Sequence, residues 1–178
     1  PLQMLSAMRS GALSCSDVGR RVRLGGDLQT YIHSRLEKGG HKILLMTHVI
    51  VGYPSLDANR KMLSYMAAAD VDLVELQMPF SEPVADGPTF VRANQEALAS
   101  GLRVDDYFDF VEEAGQLCDF PRLMMGYYNP VYQMGHERFC ERLRQAGSAG
   151  FILPDLPIEE YDDLFELSEQ NELEPILL

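Results

Sequence analysis

Residues 71–89 read VDLVELQMPFSEPVADGPT: an apolar strand with Glu75 inside it, then a proline-rich loop carrying two further acids. Side chains alternate along a strand, so Leu73, Glu75 and Gln77 share one side and Val74, Leu76 and Met78 the other. A carboxylate in a core strand is costly unless it is paired, and burial favours its neutral form. At the C-terminal mouth of a barrel, Glu75 could serve as a general acid or base. The ordinary alternative is a strand-end Glu satisfied by a backbone amide or a lysine. The loop Pro79–Pro88 holds Ser81, Glu82 and Asp86 among its prolines, with Gly87 before Pro88. Asp86 suits an N-cap or a turn. It lies eleven residues after Glu75, so both reach one mouth only if the loop folds back.

Working outward, Ile43–Val51, Asp72–Met78, Arg122–Tyr128, Gly150–Asp155 and Glu174–Leu178 are short apolar runs flanked by Gly, Pro or Asp. Such runs suit strands buried on both faces. Between them lie helical stripes. Met62, Leu63, Met66 and Ala67 form one. Phe139, Leu143 and Ala146 form another, closed by Gly147 as a C-cap. Tyr161, Leu164, Phe165 and Ser168 share a face behind Pro157, a plausible helix start. The long gap after the second strand fits two helices. One spans Thr89–Ser100 and ends at Gly101; the other carries Val104, Phe108 and Val111. Strands alternating with helices predict an α/β fold with a parallel sheet. Length favours an open doubly wound sheet, because a (β/α)8 barrel takes about 250 residues and this chain has 178.

Two further segments place polar groups after strand ends. In LMMGYYNPVY, Leu123–Tyr132, Tyr127 could pack against a flat ring and Asn129 could bond to a neighbouring loop. A strand end followed by a turn fits equally well. In FILPDLPIE, Phe151–Glu159, Asp155 ends a strand between two prolines. On a parallel barrel all these groups fall on the functional face.

The net charge of −12 argues against a nucleic-acid partner, whose phosphates need a basic face. No apolar run approaches the roughly 20 residues that cross a bilayer. Cys15, Cys118 and Cys140 are odd in number and form no CxxC or Cys/His cluster, which suits free thiols in a reducing, cytoplasmic compartment and speaks against a metal site. Residues 1–26 stand apart as an N-terminal extension, with four arginines and four serines against one acid, Asp17. That composition fits a plastid transit peptide or a disordered extension. Residues 27–178 hold the alternating strands and helices as one domain.

Together these segments resemble the tryptophan synthase α subunit family. ELQMPFSEPVADGPT is similar to the family's E-L-G-x-P-F-S-D-P-x-A-D-G-P. The GYP of Gly52–Pro54, the YYNP of Tyr127–Pro130 and the PDLP of Pro154–Pro157 follow in matching order. The extra helix after the second strand is also a family trait. The resemblance covers Asp27 to Leu178. It implies a (β/α)8 TIM barrel, which this chain would leave after about the fifth strand, short of the family's Gly-rich phosphate site. It implies a lyase that splits indole-3-glycerol phosphate into indole and glyceraldehyde 3-phosphate during tryptophan biosynthesis. Glu75 matches the glutamate that moves the proton at indole C3. Asp86 matches the aspartate that accepts the indole N–H. Tyr127 matches an aromatic residue near the substrate, and His48 stands where the pocket often holds an aromatic. Pro79, Pro83 and Asn129 match surfaces that meet the tryptophan synthase β subunit in an αββα heterotetramer. The α reaction needs no cofactor; pyridoxal phosphate belongs to the β subunit. Gln77 stands where the family usually has Gly, Glu82 where Asp is usual, and Tyr53 where Asp usually precedes the proline. The competing reading is a non-catalytic binding subunit, or an inactive fragment without the phosphate site.

Overall fold

The computed structural model of the protein describes residues 28–39, 43–161 and 163–178. The N-terminal extension read over residues 1–26 lies outside them. Five strands, β1 (Met46–Ile50), β2 (Leu73–Gln77), β3 (Arg122–Met125), β4 (Gly150–Ile152) and β5 (Glu174–Ile176), pair in parallel in the order β1-β2-β3-β4-β5. The order never reverses, as it would in a doubly wound sheet. Sequential parallel neighbours are what a barrel wall requires.

Seven α-helices accompany them among the described residues: α1 (Leu28–Gly39), α2 (Leu56–Ala68), α3 (Pro88–Ala99), α4 (Val104–Leu117), α5 (Tyr128–Met134), α6 (His136–Gln145) and α7 (Leu164–Gln170). The two faces of the sheet are covered differently. Val49, Val74, Leu76, Met124 and Phe151 face outward and share one core with Leu63 of α2, Phe110 of α4, Leu143 of α6 and Leu164 of α7. Leu73, Leu123, Met125 and Ile152 face inward and meet Leu28 of α1. Helix α1 closes the N-terminal end of the wall. Its Arg35 Nε donates to Asp72 Oδ1 at 2.7 Å, and its Tyr31 hydroxyl donates to the Asp72 carbonyl at 3.1 Å.

Each strand is shorter than the apolar run that announced it. The most telling difference is at β3, read from sequence as Arg122–Tyr128. It ends at Met125, and Tyr128, Asn129 and Pro130 form the first turn of α5. Proline is tolerated in a first turn. The Tyr128 backbone N–H donates to the Asp155 carboxylate at 2.9 Å, so a residue from the next strand end satisfies the start of this helix. The segment behind Pro157 also differs. A short 3-10 turn, Ile158–Glu160, comes first and α7 begins at Leu164. The α6 stripe is buried as read, and Gly147 follows its end at φ +74°, a backbone that glycine adopts without strain.

The turn after β1 depends on one buried amide. Asn59 accepts from the Gly52 N–H at 2.7 Å and donates to the carbonyls of Tyr53 at 2.8 Å and Ile50 at 3.3 Å. It is fully buried. Asn59→Ala strands those three groups and is expected to cost about 2–3 kcal/mol. Urea unfolding of the full-length protein checks this: the midpoint should fall with the slope unchanged.

Candidate active site

Register brings the first pair of polar groups together. β1 and β2 pair His48 with Glu75 and Ile50 with Gln77. Alternation then turns His48, Glu75 and Gln77 to the inner face. His48 Nδ1 lies 2.8 Å from Glu75 Oε2, and His48 Nε2 lies 2.7 Å from Gln77 Oε1. The paired side chains of His48 and Glu75 are only 24% and 18% exposed, so each answers the other's burial. The satisfied partner of Glu75 is thus a histidine, neither the amide nor the lysine considered from sequence.

The loop does fold back. Gln77 Nε2 donates to Asp86 Oδ2 at 2.8 Å, and Asn94 Nδ2 of α3 donates to the same oxygen at 3.2 Å. Asn94 Oδ1 accepts the Phe80 backbone N–H at 3.0 Å. Glu75 and Asp86 therefore end one chain of hydrogen bonds that runs through His48 and Gln77. Asp86 is not a helix cap: Gly87 occupies that position of α3, with no side-chain bond. The extra helix explains the arrangement. Ala93 and Ala97 of α3 seat it on Ile50, which brings Asn94 over the loop and sets Phe90 edge-on to His48 at 5.0 Å.

Tyr127 holds the loop from the other side. It is 1% exposed, its ring stacks on Phe80 at 5.4 Å, and its hydroxyl accepts the Ala85 N–H at 3.2 Å. Burial, with the charge of Asp86 and a hydrogen bond to it, pushes the phenol up to about 12. One face of the ring is thus taken by Phe80. Burial disfavours the charged form of His48, but its bonds to Glu75 and Gln77 and the negative charges of Glu75 and Asp86 outweigh that and raise its pKa.

The surface residues read from sequence divide. Asn129 is exposed, whereas Pro79 and Pro83 are buried. Ser81, Glu82, Val84, Ala85, Gly87 and Pro88 of that loop are exposed. Asn94 and Phe90 were missed. Asn94 had a signal, a polar residue beside Ala93 and Ala97 on the buried stripe of a helix. Among the described residues, no three His, Cys, Asp or Glu side chains are grouped so as to hold a metal ion.

A family model described as tryptophan synthase alpha chain matches residues 35–178. The tryptophan synthase alpha chain of Syntrophotalea carbinolica is 46% identical over 151 residues, covering 85% of this chain and 59% of that relative. That of Desulfotalea psychrophila is 48% identical over 144 residues, covering 81% and 57%. Among solved structures, tryptophan synthase from M. tuberculosis in its open form with BRD0059 bound matches with a TM-score of 0.78 at 31% identity, over 85% of this chain and 60% of that one. The tryptophan synthase alpha chain from Legionella pneumophila matches with a TM-score of 0.74 at 31% identity, over 82% and 56%. The chain thus spans less than two thirds of the length of the relatives it matches.

Proposed function

Because the chain belongs to the tryptophan synthase alpha chain family, we propose that it carries the acid–base half of an indole-3-glycerol-phosphate lyase. The reading rests on one observation. Glu75 and Asp86, two of the four acids in residues 71–89, end a single hydrogen-bonded chain on the inner face of the sheet.

The chemistry follows from what the two groups can do. Cleaving the bond between indole C3 and the side chain requires a proton at C3, which interrupts the ring's aromaticity. Glu75 delivers it. Positive charge then develops at the ring nitrogen. Asp86 Oδ1, the oxygen that neither amide takes, accepts the ring N–H and stabilises that charge. As the bond breaks, its electron pair restores the indole ring, and the side-chain hydroxyl gives up its proton and becomes the aldehyde of glyceraldehyde 3-phosphate. Acid–base chemistry of this kind calls for no cofactor. Asp86 is held by Gln77 and Asn94 before substrate arrives, so little reorganisation is needed.

The partner is a tryptophan synthase β subunit, met through exposed Asn129 and the outward part of the Ser81–Val84 loop, and the compartment is the cytoplasm. Asp86→Asn keeps the shape and both neighbours but removes the charge. It is expected to lower indole release by the full-length protein about 100-fold, the scale of losing one electrostatic contact to a transition state. A spectrophotometric indole assay reads this. Rates within threefold of the parent would remove Asp86 from the reaction. Adding β subunit should raise the parent rate; complex formation with no indole release would favour a binding-only subunit.

A further inference from the structure

His48 and Gln77 lie on neighbouring strands of the inner face and bond to each other. Their donors and acceptors can be assigned in sequence. An ionised carboxylate only accepts hydrogen bonds. Gln77 must therefore turn its NH2 to Asp86 and its Oε1 to His48. That Oε1 also only accepts, so His48 Nε2 carries a hydrogen. Asn94 obeys the same logic: the Phe80 N–H fixes its Oδ1, leaving its NH2 for Asp86.

The other ring nitrogen then has two states. Nδ1 lies 2.8 Å from Glu75 Oε2. A bare lone pair facing a carboxylate oxygen at that distance would be repulsive. Either Nδ1 is protonated against a carboxylate, or it is bare and accepts from a carboxylic acid. Both states hold one proton in the gap. We propose that His48 is a positioning residue that keeps this shared proton between its Nδ1 and Glu75 Oε2, so that Glu75 meets the substrate already loaded as an acid. The inference rests on the lyase reading for its catalytic part. The pair gives its proton to C3 and recovers one from the hydroxyl of the carbon that becomes the aldehyde, so it gains and loses none over the cycle. Gln77 fixes the tautomer through Asp86, and Phe90 fixes the ring plane from α3. The charged groups that bear on His48 are Glu75 of β2 and Asp86 of the loop, both negative, and its raised pKa agrees with that setting.

The test has two independent readings on the full-length protein. In the first, 15N-histidine NMR follows the ring through a pH titration, with His48 assigned by the signal lost in His48→Phe. His48 is expected to titrate above the ordinary value of about 6.5 in the parent. In Glu75→Gln it should fall by about 1 unit or more, because the closest charge is gone while the burial remains. In the second, the pH profile of kcat is compared between parent and His48→Phe, which keeps an aromatic ring against Phe90 but holds no proton. The alkaline limb should move to lower pH in the variant, with KM within about threefold. His48→Gln replaces this variant if the phenylalanine does not fold. Identical His48 titrations in parent and Glu75→Gln would overturn the shared proton. An unmoved alkaline limb would overturn its use in catalysis. A parent that releases no indole at any pH would overturn the lyase reading, and the titration would then decide the shared proton alone.

Discussion

Glu75→Gln is expected to lower indole release by the full-length protein about 1000-fold or more, within the range set by losing a general acid. The substitution is nearly isosteric. The glutamine amide still reaches His48, and the ring sheds its charge once the carboxylate is gone, so no unpaired charge is left buried. The melting temperature should stay within a few degrees of the parent, because little stability rides on this pair. What the amide cannot do is give up a proton to C3 and take another back. KM should therefore change far less than kcat, the pattern of an interaction made only in the transition state. A variant that keeps a tenth of the parent rate would show that the proton comes from elsewhere and would sink the assignment of Glu75. A variant that unfolds would mean that the His48 contact is structural before it is chemical.

The barrel wall was legible because a parallel sheet writes its period plainly: apolar runs one helix apart, each stopped by Gly, Pro or Asp. The inward side of β2 followed from alternation alone, and Leu73, Glu75 and Gln77 do share it. The strand ends were less legible. Tyr128 to Pro130 look like the tail of an apolar run, and only a carboxylate from a different strand end, Asp155, makes that stretch the first turn of a helix. The same limit explains the site. Sequence spacing brought Glu75 and Asp86 into view, but the link between them is built from a β1 residue and a β2 residue, with an α3 residue holding Asp86 from the side. His48 meets Glu75 through strand register, and Asn94 meets Asp86 because α3 sits on Ile50. Register and helix seating are three-dimensional facts that no local pattern records. Burial of Pro79 and Pro83 is hidden for a related reason: a motif gives the identity of a loop residue but not its depth in the fold.

Phe151→Ala is expected to cost about 3–5 kcal/mol, the largest stability loss of the substitutions considered. Phe151 lies in the middle of β4, is fully buried, and packs edge-on against Phe139 of α6 at 5.3 Å. β3 and β5 flank it on both sides, with Met124 and Pro175 in register. Those strands are tied by backbone bonds, so the wall cannot collapse into the space a missing ring would leave, and the cavity term applies in full. A domain of ordinary stability, about 5–15 kcal/mol, would lose a third of it or more. Phe151→Leu fills most of the volume and should cost no more than about 1.5 kcal/mol. Denaturant midpoints of the two variants separate a packing role from a general intolerance of β4. The site supplies a second discrimination. Phe151 faces the outer core, whereas His48, Glu75 and Gln77 face inward, so indole release per folded molecule should be nearly the same in Phe151→Leu as in the parent. If the leucine variant is stable yet loses activity more than about tenfold, the outer core is shaping the inner face, and the separation of scaffold from chemistry argued for this barrel wall fails.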